Sequence, residues 1–187
     1  MTQIYFIRHS IPDLSTKDEM RPLSEEGLKK AFDLIKIFEK LHIDMIFSSP
    51  YKRAIQTLEP IAINKNIDIN IVDDFRERKV SDDWVDKFME YSKKQWKDFM
   101  YKLENGESLS EVQFRNIKSL EKILEENKGK TIIIGTHGTA LSTIINFYDN
   151  TFNFDNFVEI MDIMPYIIKF EFGNNNEYIK RIDDIIE

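Results

Sequence analysis

Two short apolar runs, residues 4–7 (Ile-Tyr-Phe-Ile) and 131–135 (Thr-Ile-Ile-Ile-Gly), constrain this chain more than any other feature. Both are rich in β-branched and aromatic residues and too short for a core helix, so each reads as a strand buried on both faces of a parallel sheet. Parallel strands need crossover connections, which commits the chain to an α/β architecture. Each run also ends on a histidine: Arg8-His9 follows the first, and Thr136-His137-Gly138 the second. Open α/β sheets bind ligands beyond the carboxyl ends of their strands. The chain has only three histidines, and two of them stand at such ends.

The rest of the sequence keeps an alternating rhythm. After a polar loop over residues 10–21, Pro22-Leu23-Ser24-Glu25-Glu26-Gly27 opens a helix with Ser24 as N-cap and acidic residues in its first turn. Leu28, Ala31, Phe32, Ile35 and Phe38 give that helix its predicted apolar face. A second strand is expected over 44–48, with Ser49-Pro50 in cap-then-first-turn order starting a helix to about residue 63. A third strand is expected over 67–72, a helix over 139–148, and a closing hairpin over 166–172 and 178–182. Residues 81–127 depart from the rhythm, being helical material without a strand. Val85, Phe88, Met89, Trp96, Phe99, Met100 and Leu103 fall on one stripe there, and Glu107-Ser108 starts another helix carrying Leu109, Val112, Ile117, Leu120 and Leu124. The expected fold is a three-layer α/β/α sandwich with a mainly parallel sheet, one domain over 1–187, and a helical lid insertion at about 81–127. Off the stripe's centre, Trp84, Tyr91 and Tyr101 are the lid aromatics free to touch substrate, and Lys93, Lys94, Lys97 and Lys102 its solvated face.

Composition narrows the function. Without cysteine there is no disulfide framework, thiolate metal site or cysteine nucleophile. A net charge of −7 argues against a broad footprint for nucleic acid or an anionic membrane. No apolar run approaches the ~20 residues that span a bilayer, and Met1-Thr2-Gln3 leads straight into a strand, so a cytoplasmic protein is the expectation. An anionic ligand would have to be attracted by a local cluster of arginines.

The polar residues at the strand ends supply one. The first strand gives Arg8 and His9, the second Ser48, Ser49 and, in the following helix, Arg53, the third Glu77, and the fourth His137. Lys52 and Arg53 lie in a helix's first turn, where the macrodipole disfavours cations unless a bound anion faces them and the free N–H groups. Two arginines suit a phosphate, whose oxygens accept forked charge-assisted bonds. Read blandly, Glu77 belongs to an ion-pair cluster with Arg76, Arg78 and Lys79, leaving Asp13, Asp82 or Asp83 as the acid, and His42 is a cation near a helix C-terminus.

Arg8-His9-Ser10, Pro22-Leu23-Ser24-Glu25-Glu26-Gly27, Ser48-Ser49-Pro50-Tyr51-Lys52-Arg53-Ala54-Ile55-Gln56-Thr57, Phe75-Arg76-Glu77-Arg78, Gly106-Glu107-Ser108 and Thr136-His137-Gly138 together resemble the ordered motifs of the histidine phosphatase superfamily, the phosphoglycerate mutase-like group. The resemblance implies that His9 attacks the phosphoryl group, that Arg8, Arg53, His137 and Gly138 hold its oxygens, and that Glu77 protonates the leaving oxygen and then activates water. Ser15 stands where many members place a phosphate-touching asparagine, and Ser10 replaces the usual glycine. The implied activity is metal-independent hydrolysis of a small phosphorylated metabolite with no cofactor, and neither nucleic acid nor a membrane is expected as a partner. Such an acid must carry its proton near neutral pH, which calls for a partly desolvated carboxyl. Phosphoglycerate mutase-type transfer, a non-catalytic phospholigand sensor on the same fold, and a metal hydrolase using both histidines as ligands are the alternatives. Substrate identity and oligomeric state are not readable from the sequence.

Overall fold

The computed structural model describes residues 1–15, 20–82 and 85–183. Its first half runs β1 (Thr2–Arg8), α1 (Glu25–Phe38), β2 (Met45–Ser48), α2 (Lys52–Lys65), β3 (Ile69–Ile71) and a 3-10 turn at Asp73–Phe75. The second half runs α3 (Phe88–Lys97), α4 (Leu109–Glu126), β4 (Thr131–Thr136), α5 (Gly138–Tyr148), α6 (Phe154–Ile160), β5 (Tyr166–Phe172) and β6 (Tyr178–Ile182). The strands form one sheet in the order β3-β2-β4-β1-β5-β6. β1 pairs in parallel with β4, β4 with β2 and β2 with β3, while β5 runs antiparallel to β1 and hairpins into β6. The two apolar runs are thus central neighbours, Ile4 opposite Ile132 and Arg8 opposite Thr136.

Alternation along the strands divides the core between two faces. Tyr5, Ile7, Ile46 and Ile133 face Leu34 and Phe38 of α1 and Leu58 and Ile61 of α2. Ile4, Phe6, Ile132, Ile134, Ile168 and Phe170 face Leu120 and Leu124 of α4, Leu141 and Ile144 of α5, and Phe157 of α6. Phe170 is fully buried, its ring 5.4 Å from that of Phe6 and 5.6 Å from that of Tyr148. Phe170→Ala is expected to cost about 3–5 kcal/mol, because a rigid sheet face cannot collapse into the hole; denaturant titration measures it.

Two helical expectations are corrected. α1 buries Gly27, Ala31, Leu34 and Phe38, while Leu28 and Phe32 are 45% and 64% exposed. Gly27 sets that rotation, since a Cβ there would stand 2.1 Å from the Ile11 carbonyl oxygen, so the helix docks on its glycine. The stripe over 85–103 is not one face, because α3 stops at Asp98 and buries Tyr91, Ser92 and Gln95. Met100 is 71% exposed, and Tyr91 lies in the core, not free for a ligand. The helical excursion also divides in two: α4 belongs to the layer covering the sheet, whereas α3 packs on α6. Asp83 and Trp84 lie outside the described residues. Among those described, no helix is long and apolar enough to cross a membrane.

Candidate active site

The parallel pairing of β1 and β4 fixes the site's centre. Arg8 sits opposite Thr136, so His9 and His137 leave the sheet together. His9 N–H still donates to the Thr136 carbonyl at 3.0 Å, which keeps the strand ends in register. The imidazole centroids lie 5.2 Å apart, with His9 at 7% exposure and His137 fully buried. On the other side of β4, the N–H of Ser49 donates to the Gly135 carbonyl at 2.9 Å, and its hydroxyl lies 2.7 Å from His137 Nε2.

α2 starts at Lys52, and the Ser49 hydroxyl accepts the Tyr51 N–H at 3.2 Å as a cap does while it also meets His137. Arg53 is 4% exposed, with its guanidinium 4.9 Å from the Tyr51 ring centroid, and that ring lies 5.0 Å from His137's. Lys52, expected to face an anion beside it, is exposed. One turn on from Arg53, Thr57 Oγ1 donates to the Arg53 carbonyl at 2.7 Å and accepts the Ser10 N–H at 2.9 Å, tying α2 to the residue after His9. Sequence reasoning did not single out Thr57 or Tyr51. The signal for Thr57 was its i+4 spacing from Arg53.

Burial, followed by the Arg53 charge, pushes the His9 imidazole down to about 3; Arg8 and Arg21 add to that, against the hydrogen bond with Ser10. Burial, then Arg53, His9 and Arg8, hold His137 well below the ordinary histidine value. Both rings are therefore neutral near pH 7, and both arginines act on both rings. His9 Nδ1 lies 2.7 Å from the Ser10 carbonyl oxygen. A carbonyl only accepts, so Nδ1 carries the proton and Nε2 the free lone pair.

Arg8 Nη1 donates to the carbonyls of Ile160 at 2.9 Å and Met161 at 2.6 Å. Its guanidinium lies against Gly138, where a Cβ would stand 3.3 Å from both Cζ and Nε. Among the described residues nine buried side-chain polar atoms lack a hydrogen-bond partner, and three of them, Arg8 Nε, Ser10 Oγ and His137 Nδ1, stand at these two strand ends. Buried polar atoms are seldom left so, and these three suit an oxygen-rich anion.

Glu77 reaches the same place from the third strand. Thr136 Oγ1 donates to the Phe75 carbonyl at 3.3 Å, anchoring the approach. The part-buried carboxylate accepts the N–H groups of Thr139 at 3.0 Å, Ala140 at 3.1 Å and Arg78 at 2.8 Å. It caps the first turn of α5, where the helix dipole favours negative charge, so in place of the desolvated carboxyl expected from the sequence stands one held by three backbone donors. The surface-cluster alternative does not describe it: Arg76 pairs with Asp73 and Glu107, Arg78 bonds Gln95, and Lys79 pairs with Asp82. Asp13 accepts both the N–H and the hydroxyl of Ser15 in an exposed loop, and His42 pairs with Asp44 at the surface. Of the expected residues, the structure brings together Arg8, His9, Arg53, Glu77, His137 and Gly138.

A family model described as the histidine phosphatase superfamily (branch 1) matches residues 4–161. The chain is 28% identical over 150 residues to a Bacillus subtilis protein named uncharacterized phosphatase PhoE, covering 78% of this chain and 76% of the relative. It is 30% identical over 124 residues to phosphoserine phosphatase 1 of Hydrogenobacter thermophilus, covering 62% of this chain and 58% of that one. The solved structure of Bacillus stearothermophilus YhfR superposes with a TM-score of 0.78 at 22% identity, over 96% of this chain and 95% of that one, which shows the shared fold.

Proposed function

The chain belongs to branch 1 of the histidine phosphatase superfamily, and from that premise we propose that it hydrolyses monoesters of small phosphorylated metabolites through a phosphohistidine at His9, without a metal ion. The observation that carries the reading is the meeting of two neutral imidazoles with Arg8 and Arg53 at adjoining carboxyl ends of β1, β4 and β2. A cleft of about 480 Å³ shares Tyr51 with this cluster; its lining also includes Lys52, Gln56, Glu59, Asp73 and Arg76, and none of Arg8, His9, Arg53 or His137.

The chemistry follows from those positions. Arg8, Arg53 and His137 hold the phosphoryl oxygens, and the free Nε2 of His9 attacks phosphorus. A P–N bond forms as the ester P–O bond breaks, and Glu77 passes its proton to the leaving oxygen. The N–H groups of Thr139, Ala140 and Arg78, which hold the Glu77 carboxyl in the resting structure, favour the carboxylate that the transfer leaves. In the second half, Glu77 takes a proton from water, which attacks phosphorus and displaces the neutral imidazole to give inorganic phosphate. Phosphoryl transfer of this loose kind relies on positioning and charge stabilisation, which fixed guanidinium groups provide.

A phosphate-release screen over metabolite esters, run with a strong chelator present, tests the reading. Phosphoserine is the first ester to try, since one relative carries that substrate in its name. Release that is undiminished by chelator and lost in His9→Ala is expected. No release from any ester, or release abolished by chelator, contradicts it.

A further inference from the structure

We propose that the Glu107–Arg115 ion pair positions Glu77 for proton transfer, a role that rests on reading Glu77 as the proton donor. Residues 76–81, which carry Glu77, belong to no helix or strand. Such a segment needs an outside tether to hold a carboxyl in place. Arg115, on α4 with its side chain 9% exposed, forks onto Glu107 through Nε at 2.8 Å and Nη2 at 3.0 Å. Its Nη1 donates to the Arg76 carbonyl at 2.9 Å and also to that of Asp74, and its Nη2 to the Glu77 carbonyl at 3.4 Å. Glu107 closes the grip from the other side, accepting the Lys79 N–H at 2.9 Å and Arg76 Nη2 at 3.3 Å. Backbone on both sides of Glu77 is thereby fastened to one partly buried pair.

Glu107 can reach that far only because Gly106 precedes it. A Cβ at Gly106 would lie 2.1 Å from the Val80 carbonyl oxygen, so the two segments touch along bare backbone. Burial pushes the Glu107 carboxyl up, yet the Arg115 hydrogen bonds and the Lys79 N–H bring it below the ordinary value, and the pair stays ionised. The bonds of Arg115 go to Glu107 and to the Glu77 segment, not to either histidine. Through its bonds the pair acts on Glu77; the Arg115 charge also helps hold His137 low through space, an effect that Arg115→Lys keeps.

The test compares Glu77→Gln, Arg115→Lys and their double variant on two esters, with folding checked by circular dichroism. Nitrophenyl phosphate has a leaving group that hardly needs a proton, and glycerol phosphate has one that does. Arg115→Lys is expected to lower kcat on glycerol phosphate about 10- to 100-fold and on nitrophenyl phosphate less than about 3-fold, because slight misplacement disables only the proton donor. Glu77→Gln should show the same selectivity, and the double variant should be no slower than Glu77→Gln alone. Equal losses on both esters in Arg115→Lys, or losses that multiply in the double variant, overturn the proposal. Should Arg115→Lys fail to fold, E107Q/R115M removes both charges, leaves none buried alone, and is read the same way. An unselective Glu77→Gln overturns Glu77 as the donor and the positioning role with it. A selective Glu77→Gln beside an unselective Arg115→Lys overturns the positioning role alone.

Discussion

His9→Ala is expected to lose at least about 10⁴-fold in kcat on every ester while keeping the native fold, because no other group can form the covalent intermediate. The fold should survive because the ring is neutral and its hydrogen bond is with the adjacent Ser10 carbonyl. Acid stability supplies an independent reading. The folded protein holds His9 at about 3 and the unfolded chain at its ordinary 6.5, so the unfolded state binds the extra proton between those values. Stability is whole above pH 6.5 and falls as the pH drops from there toward about 3. His9→Ala should lose less stability over that window than the native chain in denaturant titrations at stepped pH. An active His9→Ala protein would remove the nucleophile assignment, and an unchanged pH profile of stability would show that the ring is not held neutral.

Arg53→Met carries the second largest effect. It removes a buried charge that acts on both imidazoles, and it removes one of the groups facing the charge that develops on the phosphoryl oxygens. Loss of one such preorganised group costs on the order of 10²–10³-fold in kcat, and affinity for inorganic phosphate as an inhibitor should weaken with it. The variant also shifts the pH profile in a defined direction. Burial, the largest influence on His9, remains, but the Arg53 charge that also depresses it is gone, so His9 rises from about 3 toward its ordinary value. The acid limb of kcat/KM belonging to His9 should move to higher pH in the variant. A limb that stays in place or moves lower would show that Arg53 does not face the histidine.

The parts of this molecule that were legible in the sequence are those fixed by strand burial. Residues 4–7 and 131–135 had to be central strands, and once they paired in parallel, His9 and His137 had no other place to go. The hairpin at 166–172 and 178–182 was equally readable, because Gly173 and three asparagines interrupt two apolar runs. Tertiary contacts decided what the pattern missed. Gly27 rotated α1 by docking its backbone on Ile11, against the apolar face that Leu28 and Phe32 suggested. Ser49 before proline reads as a helix cap, and its hydroxyl does accept the Tyr51 N–H; the buried His137 beside it is a second partner that the pattern does not carry. Arg115 pairs with Glu107 from the second turn of α4, and that pair fastens a coil some forty residues upstream. Local periodicity carries no signal for such a bond.

Rapid mixing with a radiolabelled aryl phosphate, quenching within the first turnover, and peptide mapping of the label test the central chemistry most directly. Label should appear on the peptide containing His9, be lost in acid and kept in alkali, and be absent from His9→Ala. Label on His137, on a carboxylate or on a serine, or release of phosphate with no labelled protein at any time, would contradict it.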